Sequence, residues 1–186
     1  MWVPRRMTAL LRRASCDRGG AAAVEFALIA PVLFLLTLGM IEVGMILLEW
    51  HRVGEAARGG ARVALIGDPI AELAALSTTD ISCQGANDGS MTCTGASTST
   101  STAFASVLTT MQDIAPNLVG SNIAIDYTDS GATNVSGLVT PLLSLSVSNY
   151  QYEFFFLQTV PGIGSPMTLP AFTTSRMVHT TNANNT

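Results

Sequence analysis

From Ala21 to Leu48 the chain runs for 28 residues with two charges, Glu25 and Glu42, and none between Phe26 and Ile41. As a helix this stretch is about 42 Å long, against a bilayer hydrocarbon core of about 30 Å, so it is long enough to span. A charged group at the centre of a bilayer costs about 2.5–3.5 kcal/mol, which makes any acid in such a run a functional suspect. Centring the bilayer near Leu33 puts both acids about 12–13 Å from the midplane, each just inside an interface, where the cost is smaller. Pro31 interrupts the hydrogen-bond ladder and predicts a kink. Gly39 and Gly44 leave room for a neighbouring helix to approach.

Charge bias sets the direction. Arg5, Arg6, Arg12, Arg13 and Arg18 precede the run with only Asp17 opposing them, while Arg52, Arg58 and Arg62 follow it among Glu49 and Glu55. The positive-inside rule then puts the N-terminus in the cytoplasm and the rest of the chain beyond the membrane. A secretory signal has an apolar region of about 7–15 residues ending in small residues. This run is longer and leads into Glu49, Trp50 and His51. Cys16 precedes the run, which does not fit a lipoprotein signal.

Residues 21–186 carry four arginines against twelve acids, a formal charge of −8. A chain this acidic is a poor partner for nucleic acid. Cys83 and Cys93 bracket a nine-residue Gly- and Asn-containing loop, and outside the cytoplasm a disulfide is their expected fate. Buried free thiols are the other reading. The spacing is not a zinc pattern, and no histidine is near enough in sequence to complete one. The two histidines, His51 and His179, lie far apart, and no Gly-x-Ser-x-Gly turn or metal pair appears. No enzyme activity, cofactor, metal or small-molecule substrate is expected.

The helix is expected to continue past the membrane. Val53, Ala57, Ala61 and Ala64 recur at helical spacing, and Glu49/Arg52, Glu55/Arg58 and Arg58/Arg62 pair on a wetter face. One helix from Ala21 to Ile66 would be about 69 Å long. Gly54, Gly59 and Gly60 weaken it by about 1 kcal/mol each relative to Ala. A further short helix is expected over Ile70 to Leu76. Ile81–Gln84 and Met91–Thr94 read as short strands around Asn87-Asp88-Gly89. Ala96–Thr102 is a Ser/Thr-rich linker. Phe104, Val107, Leu108, Met111 and Ile114 have helical spacing, with Ser101 or Thr102 as N-cap and Pro116 as the stop. Asn122–Thr128 is expected to be a strand, Asp129-Ser130-Gly131 a turn, and Leu143, Leu145 and Val147 the buried side of a strand that runs on through Tyr150, Tyr152 and Phe154. A Gly/Pro loop from Pro161 to Pro166 and a strand from Ala171 to His179 close the chain. The predicted fold is α+β: a single-pass, pilin-like N-terminal helix with a four- or five-stranded antiparallel sheet packed on its outer half. The boundaries are a leader at 1–20, a span at 21–48, a helical extension at 49–76 and a mostly β domain at 77–186.

The stretch Arg18-Gly19-Gly20, then Val24-Glu25-Phe26-Ala27, then Pro31, Glu42 and Ala57-Arg58…Ala61-Arg62 resembles the TadE-like family of the Flp/Tad tight-adherence pilus machinery. The resemblance implies a minor, pseudopilin-like protein of the bacterial inner membrane, with its C-terminal domain periplasmic or extracellular. It implies cleavage between Gly20 and Ala21 by a membrane prepilin peptidase, an aspartyl protease of which this chain is the substrate. It makes Glu25 and Phe26 assembly residues, and pilin-like subunits and the pilus assembly platform the partners, besides membrane lipid. After cleavage the ammonium of Ala21 can pair in lipid with Glu25 of a neighbouring helix, offsetting the cost of burying that acid. Glu42, near the opposite interface, is far from any free amine and is expected to be the less important acid. The competing reading is a single-pass, membrane-anchored binding module with no filament role.

Overall fold

The computed structural model describes residues 18–73, 76, 80–95, 101–133, 139–159, 162 and 166–177. Most of the basic leader, Cys16, most of the 96–102 linker and His179 lie outside the described residues.

Helix α1 runs unbroken from Arg18 to Ile66, through Pro31. Its two halves have opposite surroundings. Val24, Phe26, Leu28, Leu36, Ile41 and Leu47 are all exposed, and the first half is long and apolar enough to cross a membrane. In the second half Val53, Ala56, Ala57, Ala61 and Ala64 are buried in the core, at the i, i+3, i+4 spacing that makes one helix face. The residues on this face are small because other elements come close. A Cβ on Gly60 would lie 2.6 Å from Met111 Cγ, and one on Gly54 would lie 3.0 Å from the Phe172 ring. The glycines that lower helix propensity are thus the surface on which the rest of the chain packs. Two ion pairs lie along this half, Arg52 Nη1 to the largely buried Glu49 Oε2 at 3.7 Å and, on the exposed side, Arg58 with Glu55.

Helix α2 (Ser101–Ile114) crosses this half of α1 and buries Phe104, Val107 and Met111. Ser101 and Thr102, the expected caps, are both helical, and residues 96–100 lie outside the described residues. A five-stranded antiparallel sheet covers both helices, in the order β2-β1-β3-β4-β7. Its strands are β1 (Ile81–Gly85), β2 (Met91–Thr94), β3 (Ile123–Thr133), β4 (Val139–Val147) and β7 (Phe172–Met177), with β5 (Gln151–Tyr152) and β6 (Met167–Thr168) forming a separate two-stranded ladder. Ile123, Ile125 and Tyr127 of β3 pair with Val147, Leu145 and Leu143 of β4, and all six are buried. The intervening serines face the other way, where Ser144 Oγ meets Ser175 Oγ at 2.8 Å. Cys83 and Cys93 stand directly opposite one another in the β1–β2 ladder and are joined by a disulfide, with Cys83 fully buried.

Several expected boundaries shift. Asp129-Ser130-Gly131 is not a turn: β3 runs through it to Thr133 and absorbs an irregular register between Asp129 and Thr133. Gly131 has φ +70°, and its N–H donates to Asp129 Oδ1 at 2.7 Å, so the side chain replaces a ladder partner locally. Strand β4 stops at Val147 instead of running on to Phe154. Asn149 has φ +56°, and the buried Asn122 amide donates to both Ser148 O and Asn149 O at 3.1 Å, pinning the bend. Tyr152 then pairs with Met167 in the separate ladder. Ile70–Glu72 are not helical. The Ile70 side chain fills the core instead of continuing the helix past Gly67-Asp68-Pro69.

Candidate functional site

The residues proposed for processing and assembly occupy the first turns of α1. Gly20, Ala21, Glu25 and Phe26 are all exposed, and a Cβ on Gly20 would meet nothing within 4 Å. Ala21 and Glu25 are four residues apart, on one helix face. Glu25 makes no hydrogen bond or ion pair with any described residue. Among the described residues, none of the outer domain covers this segment.

Glu42 is in the reverse situation. It is completely buried, at 0 % relative exposure, although apolar residues on either side of it are exposed. Residues 155–157 lie against α1 here, and their backbone closes over the carboxylate. The N–H of Phe155 donates to Oε1, that of Phe156 to both oxygens at 3.2 and 3.1 Å, and that of Leu157 to Oε2 at 2.7 Å. Leu157 opens a 3-10 turn reaching Thr159, so the carboxylate sits where a helical turn presents free N–H groups. Burying a carboxylate is tolerable only with such partners, and charged acceptors make the stronger hydrogen bonds. Glu42 is therefore not simply an acid near the interface, as the sequence suggested: it ties the segment Phe155–Leu157 to the apolar half of α1, which makes it unsuitable as a neutral control for Glu25.

A second tie lies two turns further on. Tyr150, just past the Asn149 bend, donates its hydroxyl to Glu49 Oε1 at 2.5 Å. Burial, then the adjoining Glu49 carboxylate, pushes the Tyr150 phenol well above its ordinary 10.0. Burial likewise raises Tyr127, and raises Tyr152 together with the charges of Glu42 and Glu49.

Of the residues singled out from sequence, Cys83 and Cys93 are brought together, while Gly20, Ala21, Glu25 and Phe26 are neighbours only through the helix. Glu42 lies 17 residues above Glu25, about 26 Å along the axis. The clamps at Glu42 and Glu49 were missed. Their sequence signal was the run Phe154-Phe155-Phe156-Leu157 after an expected strand, which places apolar bulk where a surface loop should be polar. Among the described residues no group of three or more His, Cys, Asp or Glu is arranged to hold a metal.

Residues 20–62 match the family model described as TadE-like protein. The match begins at Gly20 and ends within the small-residue face that packs on α2 and the sheet. It covers the same segment that carries the resemblance in sequence. No curated protein and no solved structure matches the chain.

Glu42→Gln tests the first clamp, because an amide nitrogen aimed at N–H groups is a donor facing donors. Amide hydrogen exchange at Phe155–Leu157 is expected to rise about tenfold or more, from the loss of about 1–3 kcal/mol of buried hydrogen bonding, while β3 and β4 stay protected. Unchanged exchange at those three amides would mean that the carboxylate does not hold the segment. The Tyr150 tie gives a pH dependence. The folded phenol titrates above the unfolded value of 10.0, so its stabilisation is complete below that pH and falls away as pH rises above it. Denaturant midpoints measured from neutral pH upward should fall more steeply above pH 10 in the parent than in Tyr150→Phe; equal slopes would remove Tyr150 as the cause.

Proposed function

We propose that this chain is a minor, pseudopilin-like component that serves the assembly of Flp-type, tight-adherence pili. The observation that supports it most is a coincidence within one helix. The TadE-like match covers residues 20–62, and over that span α1 passes from an uncovered apolar half to a half that forms the core of a small α+β domain. A pilin-like subunit needs this construction, because lateral packing of the apolar halves then sets the spacing of the outer domains.

In this reading the basic leader stays in the cytoplasm, residues 21–48 cross the bacterial inner membrane, and residues 49–186 lie in the periplasm or outside the cell. A prepilin peptidase, an aspartyl protease in the membrane, cuts between Gly20 and Ala21. The chain is its substrate and has no catalytic role. The new ammonium on Ala21 and Glu25, which has no partner among the described residues, are opposite charges on an apolar surface. Pairing between neighbouring chains removes both from lipid and fixes their axial stagger. Phe26, 68 % exposed beside Glu25, supplies apolar contact at the same level. Pilin-like subunits and the assembly platform are the partners.

Mass spectrometry of membranes from cells that contain the peptidase should find the N-terminus at Ala21, and Gly20→Val should abolish it. A mature chain that keeps Arg5 to Arg18 would overturn the reading. Glu25→Gln should leave protein level and processing near normal but prevent pilus production. Glu55→Gln, an exposed acid on the wetter face of α1, is the control, because Glu42 has structural work of its own. Pili made equally well by Glu25→Gln would remove the amine–carboxylate pairing.

A further inference from the structure

We infer that Phe155, Phe156 and Leu157 form a second membrane-inserted element, a short re-entrant wedge in the leaflet on the side of the outer domain, whose backbone N–H groups are capped by Glu42 of α1. The inference rests on the reading that α1 crosses the membrane.

The first argument is position. On α1, Pro31, Leu35, Leu38, Gly39 and Glu42 recur at helical spacing and share one face. The three loop residues lie along this face, and the cleft between loop and helix is lined by Pro31, Phe34, Leu35, Leu38 and Gly39. Leu157 reaches the helix at Gly39: a Cβ there would be in ordinary van der Waals contact, 3.9 Å from Leu157 Cδ2. With the bilayer centred near Leu33, Gly39 is about 9 Å from the midplane, inside a hydrocarbon half-thickness of about 15 Å. The loop touches the part of α1 that lipid surrounds, so its outer surface is continuous with that lipid-facing surface.

The second argument is the side chains. Phe155 is 69 % exposed, and its ring packs edge-on against Phe156 at 4.8 Å between centroids. An exposed phenylalanine, backed by a half-buried one beside an apolar helix, has lipid acyl chains as its natural neighbour.

The third argument is the backbone. Irregular backbone at membrane depth is stable only if its polar groups find partners within the protein, because no water is there to serve them. The N–H groups of Phe155, Phe156 and Leu157 all donate to Glu42, and the Phe155 carbonyl accepts from Gln158 Nε2 at 3.3 Å. An acid inside an apolar helix and three N–H groups inside an apolar loop are each costly in lipid, and each removes the cost of the other.

The full chain with Cys16→Ser, reconstituted in phosphatidylcholine vesicles, tests this by spin labelling at Phe155→Cys. Leu36→Cys on α1 and Asp88→Cys in the β1–β2 turn are the references. Collisions with molecular oxygen and with a water-soluble nickel chelate report depth. Position 155 should match position 36, with frequent oxygen collisions and loss of nickel collisions, whereas position 88 should show the reverse. In the unsubstituted chain a phospholipid with a photoreactive group in its acyl chain should crosslink to the peptide containing Phe155. Nickel access at 155 with lipid exposure at 36 would overturn the wedge and leave the spanning helix standing. Shielding of 155 from both collision partners would mean that protein, not lipid, covers it, and would also overturn the inference. Nickel access at 36 would overturn the spanning helix itself and the wedge with it.

Discussion

α1 has no seam between the half that turns Val24, Leu36 and Leu47 outward and the half that carries Val53, Ala57 and Ala61 into the core. This continuity is the constraint on which the rest of the molecule depends. A helix buried on one face has an amphipathic pattern, and one surrounded by lipid is apolar all round. Here a single 49-residue helix changes from the second regime to the first over a few turns. The outer domain has no core without the distal half, because Ala57, Ala61 and the glycine notch at Gly60 are what α2 and β4 pack against. The orientation of the domain is therefore fixed to the axis of α1, and any force on the apolar half is transmitted directly to the sheet.

Two acids secure that orientation on the face where helix and loop meet. Glu49 receives the Tyr150 hydroxyl, and Glu42 receives three backbone N–H groups. Both partners come from the chain that follows β4, and the Asn149 bend directs it back toward the membrane half of α1. Glu25, in contrast, is left with no described partner at the other end of the apolar run. One helix thus carries two acids satisfied within the chain, Glu42 and Glu49, and a third, Glu25, without a partner among the described residues; the proposed function uses that difference.

Much of this was legible in the sequence where periodicity and burial coincide. The helix and its packing face followed from Val53, Ala57, Ala61 and Ala64, α2 from Phe104, Val107 and Met111, and β4 from the alternation of Leu143, Leu145 and Val147 with serines. The opposed positions of Cys83 and Cys93 followed from two short strands around one turn. What failed was local chemistry decided by distant partners. Asp129-Ser130-Gly131 has turn composition, but pairing with β4 carries the strand through it and leaves only a bulge. Phe154 was assigned to a strand because it continues an apolar alternation, whereas Asn122, some 30 residues earlier, bends the chain away from the sheet. Glu42 looked like an interfacial acid because its hydrogen-bond donors are backbone groups more than 110 residues away, and backbone donors leave no trace in residue identity.

The most direct test of the single-helix account is amide hydrogen exchange of the full chain in lipid nanodiscs, read residue by residue across the region where α1 leaves its apolar half. The account predicts uninterrupted slow exchange from Ile46 through Ala61, with no weak point at Gly54, because every turn there is covered either by lipid or by the outer domain. A fast-exchanging segment between Glu49 and Gly54, with protection on both sides, would contradict it: α1 would then be two helices joined by a hinge, and the outer domain would be free to turn on its anchor.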